Sequence, residues 1–182
     1  MDEITEYRAN LLHRLEYQPA ELKATLNALP EEQWHERRLP DGRSVHLLAA
    51  HLRDLETLAF LPRFRRVLME DRPIFDAFPS HTWSTENYNS AESLVKMLAD
   101  FERARAEALT LMRPLTPDGW ARVGFHPPSG WRTAQWWAER MYQHANNHLT
   151  DIRRVMGRLL TRPVAARGRS TPIEPEPEDN VT

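Results

Sequence analysis

Apolar residues recur every three to four positions through four long stretches of this chain, and that period constrains the fold more than any other feature. Such spacing places the apolar side chains on one face of a helix, whereas a half-buried strand needs strict alternation. Sustained alternation of β-branched residues is absent and glycine is scarce, so an all-α protein is expected. The first helical region is predicted from about Ile4 to Leu29, interrupted by Pro19 as a kink or as the start of a fresh turn. Ser44 is a good N-cap for a second helix reaching about Met69, with a bend at Pro62. A third helix is expected over roughly Ala91 to Met112, and a fourth from Thr133 to about Leu160. The proline-punctuated stretches between them read as irregular connections. Four long helices with two longish connections describe a four-helix bundle.

With 182 residues, the chain suits one domain with a substantial core. The domain is expected over 1–161. From 162 to 182, prolines alternate with acidic residues, and this composition is read as an extended C-terminal tail. No stretch approaches the roughly 20 apolar residues that cross a bilayer, and the start Met1-Asp2-Glu3 is acidic, unlike a signal peptide. A cytoplasmic location is therefore the expectation, with no membrane partner. A net charge of −2 gives no pull towards nucleic acid. Among the basic residues only Lys23 and Lys96 are lysines. Arginines could serve anion recognition, but they are scattered, which fits a nucleotide-composition bias. The densest group, Arg63, Arg65 and Arg66, is accounted for by a solvated helix face.

Without cysteine, disulfides and thiolate metal ligands are excluded, and any thiol nucleophile must come from a substrate. Histidine is the remaining metal-binding signal. His144 and His148 are four residues apart on the predicted fourth helix, one turn apart on one face. The spacing alone is weak, because about one random sequence in three of this composition would contain it. Its setting adds weight. Trp137, Met141, His144, His148, Ile152, Val155 and Leu159 form one stripe, and Leu48, His51, Leu55 and Leu58 form another on the second helix. All three histidines should thus point into the bundle. A shared divalent metal would satisfy them at once; separately hydrogen-bonded core histidines are the other reading.

The remaining histidines have weaker claims. His13, His35 and His81 read as surface residues; His126, in the loop before the fourth helix, could enter the mouth of an active site but reads rather as a surface loop residue. His46 lies about 140° round the helix from His51 and should face elsewhere. The isolated Glu-x-x-His at Glu32 and His35 does not suffice for a di-iron bundle. No nucleophile elbow or phosphate-binding glycine loop is present.

At these residues the chain resembles the DinB-like (YfiT-like) superfamily of metal-dependent enzymes, over most of residues 1–160. The block Ser44 to Glu56 resembles the family's second-helix motif, a serine cap followed by His-Leu-x-Asp-x-Glu. Phe60 to Asp71, with Phe75, Trp83 and Tyr88, resembles the connection that follows. His144 to Ile152 resembles its His-x-x-x-His-Leu-x-x-Ile. The resemblance implies an up-down-down-up bundle with His51, His144 and His148 as ligands of a divalent metal ion. Two positions depart from the pattern: Arg43 replaces a usual tryptophan, and Asp151 a common glutamine.

Zinc, nickel and iron all suit imidazole ligands. The resemblance implies a transferase acting on a small-molecule substrate through a low-molecular-weight thiol, or a hydrolase on the same scaffold, and a homodimer. A non-catalytic binding or stress-response protein is the alternative from another class. No side chain stands out as the catalytic acid or base. Asp54 could support the ligand helix from behind, with surface solvation an equal reading; Asp151 could do the same for His148 but reads rather as a solvated residue at the end of the core.

Overall fold

The chain builds four long helical rods whose apolar faces meet in a shared interior. The computed structural model describes residues 2–36 and 38–160. The expected tail, 162–182, lies outside the described residues, as do the side chains of His81 and Leu159. The first rod is α1, Glu3–Asn27. Asp2 caps it, its side chain accepting from the Thr5 amide at 2.7 Å, with Glu3 and Glu6 at the positive end of the helix. The helix runs through Pro19, and Leu15 and Leu22 on either side are buried. Packing there offsets the backbone hydrogen bond that proline cannot donate. The short helix α2, Gln33–Glu36, leads to the second rod.

That second rod is α3 (Val45–Asp54), a π-helical turn (Leu55–Phe60) and α4 (Leu61–Met69). Ser44 caps it by accepting from the Leu47 amide at 3.1 Å. Pro62 cannot donate to the carbonyl one turn back, and the wider π turn accommodates its ring. The extra residue in that turn shifts the inward face. Leu58, expected in the core stripe, is 47% exposed, while Ala59 and Phe60 are buried instead. A connection follows that carries α5, Ser80–Glu86. The third rod is α6, Leu94–Met112, followed by α7, Pro117–Ala121.

The connection before the fourth rod, α8 (Ala134–Leu160), holds a hairpin that the sequence reading missed. Strands β1 (Val123–His126) and β2 (Gly130–Thr133) pair antiparallel, with Val123 opposite Thr133 and His126 opposite Gly130. Phe125 also exchanges backbone bonds with Pro73 and Phe75, tying the earlier connection to the hairpin. Gly124 is required there: a Cβ would fall 2.6 Å from the Phe75 ring. Phe75 in turn stands edge-on to Trp137, 5.5 Å away.

Contacts between rods give their directions. Tyr7 meets Glu139 and Arg153 meets Glu21, so α1 and α8 run parallel. Glu16 pairs with Arg113 and Gln18 with Arg105, so α1 and α6 are antiparallel. Arg53 reaches Glu92 and Arg65 reaches Glu107, so the second and third rods are parallel. The order is therefore up-down-down-up, with α1 between α6 and α8. One buried network joins all four rods. Arg105 on α6, fully enclosed, donates to Glu56 at 2.5 and 3.0 Å and to Gln18 at 2.8 Å. Its Nη2 also lies 3.5 Å from the Met141 carbonyl. Among the described residues, no helix is long and apolar enough to cross a membrane.

Candidate metal centre

Three histidines from two rods converge on one point. His51 stands near the end of α3, and His144 and His148 lie one turn apart on α8. Nε2 of His144 is 3.3 Å from Nε2 of His51 and 3.2 Å from Nε2 of His148. All three rings offer a ligand atom within 4.8 Å of the others. The antiparallel pairing of α8 with the second rod creates this meeting, because it sets the end of α3 beside the middle of α8.

Protons alone satisfy this arrangement poorly. A neutral imidazole nitrogen carries either one hydrogen or one lone pair. Nε2 of His144 faces two other ring nitrogens, so a single hydrogen or lone pair must be shared between them. Ring nitrogens bound to zinc lie about 2.0–2.1 Å from the ion. Placed around one ion they stand about 2.8–3.0 Å apart at octahedral angles and about 3.3–3.4 Å at tetrahedral ones, and the two pairs that include His144, at 3.3 and 3.2 Å, lie near the tetrahedral value. The donor set fits a divalent cation.

Neighbouring groups prepare the rings. Nδ1 of His51 lies 3.1 Å from Ser84 Oγ on α5. Ser84 donates its hydroxyl hydrogen to the Ser80 carbonyl at 2.8 Å, so its oxygen is left to accept from His51 Nδ1–H. That choice leaves the His51 Nε2 lone pair facing the cluster. Burial, followed by the neighbouring His148 and His51, lowers the His144 pKa to about 2. Burial and then Arg43 lower that of His148 to about 4. Both rings are neutral at physiological pH, the form that coordinates a metal.

The other candidates are distributed differently. Asp54 accepts from Arg53 at 2.6 Å, and Asp151 pairs with Arg154 at 3.2 Å. Asp151 acts on His148 through space. Nδ1 of His148 is buried with no partner among the described residues. Ser84, which the sequence reading passed over, is the residue that orients a ring. His46 is satisfied elsewhere, by Tyr88 at 2.9 Å and the Glu92 carbonyl at 2.8 Å. His13 and His35 are exposed.

Beside His144 opens a cavity of about 530 Å³. Its wall includes Phe60 and Arg63 from the second rod, Phe78 from the connection, and Trp136 and Arg140 from α8. His126 belongs to this wall, a correction to its reading as a surface loop residue. The hairpin carries it there, against the edge of Trp137 at 5.3 Å. Burial, then the charges of Arg63, Arg140 and Arg132, lowers its pKa. Arg63 likewise departs from the solvated face expected for it. Arg65 and Arg66 do pair on the surface, with Glu107 and Glu70.

The sequence profile of the DinB superfamily matches residues 14–152. Comparison with curated proteins finds no match. Among solved structures, the chain is similar to YfiT from Bacillus subtilis, described as a probable metal-dependent hydrolase with an unusual four-helix bundle topology. The two share 21% identity over 87% of this chain and 90% of that one, with a TM-score of 0.77. At that identity the likeness shows a common fold.

Proposed function

The chain belongs to the DinB superfamily, and on that premise we propose that it is a metal-dependent enzyme whose divalent ion is held by His51, His144 and His148. The observation that carries this reading is the convergence of three ring nitrogens at 3.2 and 3.3 Å, with the neutral form of two rings enforced by burial. Zinc, nickel and iron all suit three imidazoles. When bound, such an ion supplies Lewis acidity and lowers the pKa of a thiol or water beside it.

The side chains around the cavity support a transferase that uses a low-molecular-weight thiol. A thiol starts near pKa 8.5 and needs little help to ionise, whereas water starts at 15.7 and gains more from a nearby base. Glu139 is the acidic wall residue, and its Oε1 already accepts from Tyr7 and Gln135 at 3.0 Å each. The chain holds no cysteine, so the thiol is a substrate. Phe60, Phe78 and Trp136 line the cavity beside His144 and offer apolar surface to a second substrate.

A hydrolase is the second reading. YfiT's description favours it, as does His126, a neutral wall imidazole able to accept a proton. Metal-loaded protein should transfer a small thiol such as cysteine to a chloronitroaryl electrophile faster than it cleaves esters or amides. Hydrolysis of the ester and amide panel without thiol turnover would favour water as the nucleophile. Activity unaffected by chelation would overturn both readings.

A further inference from the structure

The cavity wall is rich in hydrogen-bond donors and poor in free acceptors. Arg63 is half-buried, with its guanidinium 5.6 Å from the Trp137 ring centroid. Among the described residues its guanidinium makes one hydrogen bond, at 2.8 Å, to the Asp76 backbone carbonyl. Arg140, an exposed residue of the same wall, also lacks an ion pair among the described residues. Glu139 is the one carboxylate of the wall and is occupied from the α1 side. The Trp137 indole N–H, buried in the same wall, has no acceptor among the described residues. Burial also works against the charge of Arg63 and lowers its pKa.

The Asp76 carboxylate acts on Arg63 only through space, in the opposite sense to burial, and no acid contacts the guanidinium among the described residues. A partly desolvated guanidinium in that position gains from an anion that reaches it. Several arginines elsewhere pair with acids, among them Arg43, Arg53, Arg66, Arg113 and Arg153, while Arg122 is held by two backbone carbonyls. From these contacts we infer that the cavity binds a small organic acid, with its carboxylate engaged by Arg63 and its apolar body against Phe78 and Trp136. Arg140 adds positive potential at the cavity wall. This inference rests on the proposed function for its meaning, because it names the class of molecule brought to the histidine cluster. The binding itself requires only the cavity. A planar guanidinium fork matches a carboxylate in two-point contact, which an amide of the same shape cannot reproduce.

The test uses 4-phenylbutyrate and its uncharged isostere 4-phenylbutanamide, titrated against zinc-loaded and chelator-stripped protein and followed by tryptophan fluorescence. The parent should prefer the carboxylate by about tenfold in both metal states, as a charge-assisted pair allows. Arg63→Gln should keep its zinc content and its amide affinity while losing most of that preference. Arg63→Lys keeps the charge without the fork, and should retain an intermediate preference with an unchanged melting temperature. A parent without preference, or a preference that survives in Arg63→Gln, would overturn the inference. So would a preference lost on metal removal but kept in Arg63→Gln, because the ion would then be holding the carboxylate. A carboxylate preference in protein that never takes up metal would support the acid site and sink the proposed metal centre.

Discussion

Two buried polar clusters lie within the same bundle, and they differ in whether the protein completes them. Around Arg105, every partner comes from the chain: Glu56 takes both sides of the guanidinium fork and Gln18 takes another N–H. Opposite charges meet opposite charges, and all four rods are stitched in register. Around His144, three groups of the same kind face one another at 3.2 and 3.3 Å, with no acid between them. The first cluster is closed. The second is the one that the proposed divalent ion would complete, and it borders a cavity. Buried polarity within one core can thus serve architecture or ligand binding, and the partners of the groups tell which.

Breaking the closed cluster should have the largest effect. Arg105→Met leaves the Glu56 carboxylate buried and unpaired, and should cost about 3–5 kcal/mol in urea denaturation of the metal-free protein. Combining it with Glu56→Leu should recover much of that loss, since an apolar pair needs no partner. The histidine cluster should respond to metal instead. Zinc at about 100 to 1,000 times its dissociation constant should stabilise the parent by about 3–4 kcal/mol. The same zinc should leave His144→Ala/His148→Ala unchanged.

Acid separates the clusters as well. Folding lowers the pKa values of His144 and His148 to about 2 and about 4 from the ordinary 6.5. Their contribution is therefore fully present above about pH 6.5 and falls as the unfolded chain takes up protons that the folded chain refuses. Between about pH 7 and pH 5 the metal-free parent should lose about 2 kcal/mol for each of the two rings, measured by denaturation at each pH. The smallest effect is expected at Ser84. Ser84→Ala removes the acceptor that orients His51 and should weaken zinc binding by about tenfold in competition with a chelating dye.

The bundle was legible because its helices carry their own signal: apolar period, the Ser44 cap, and prolines at the breaks. The histidine cluster was legible too, since His144 and His148 share a helix face and His51 lies in a second apolar stripe. The missed features depend on contacts between distant residues or on short elements. Strands of four residues, β1 and β2, are too brief for alternation to stand out among the loop residues around them. The π turn at Leu55–Phe60 shifts the helix face locally, and the regular period placed Leu58 inside. Ser84 reaches His51 from 33 residues away, with nothing local to mark it. One signal was available and unused: Gln18, Glu56 and Arg105 each interrupt an apolar stripe. Polar residues at such positions point to an internal network.

Whether His51, His144 and His148 hold a metal ion is read most directly from metal content, by elemental mass spectrometry of protein purified without a histidine tag, beside His144→Ala/His148→Ala. The parent should carry about one equivalent of zinc, nickel or iron, and the variant should lose it. Parent protein that stays metal-free after incubation with each ion would contradict the metal centre, and the three rings would then be core histidines.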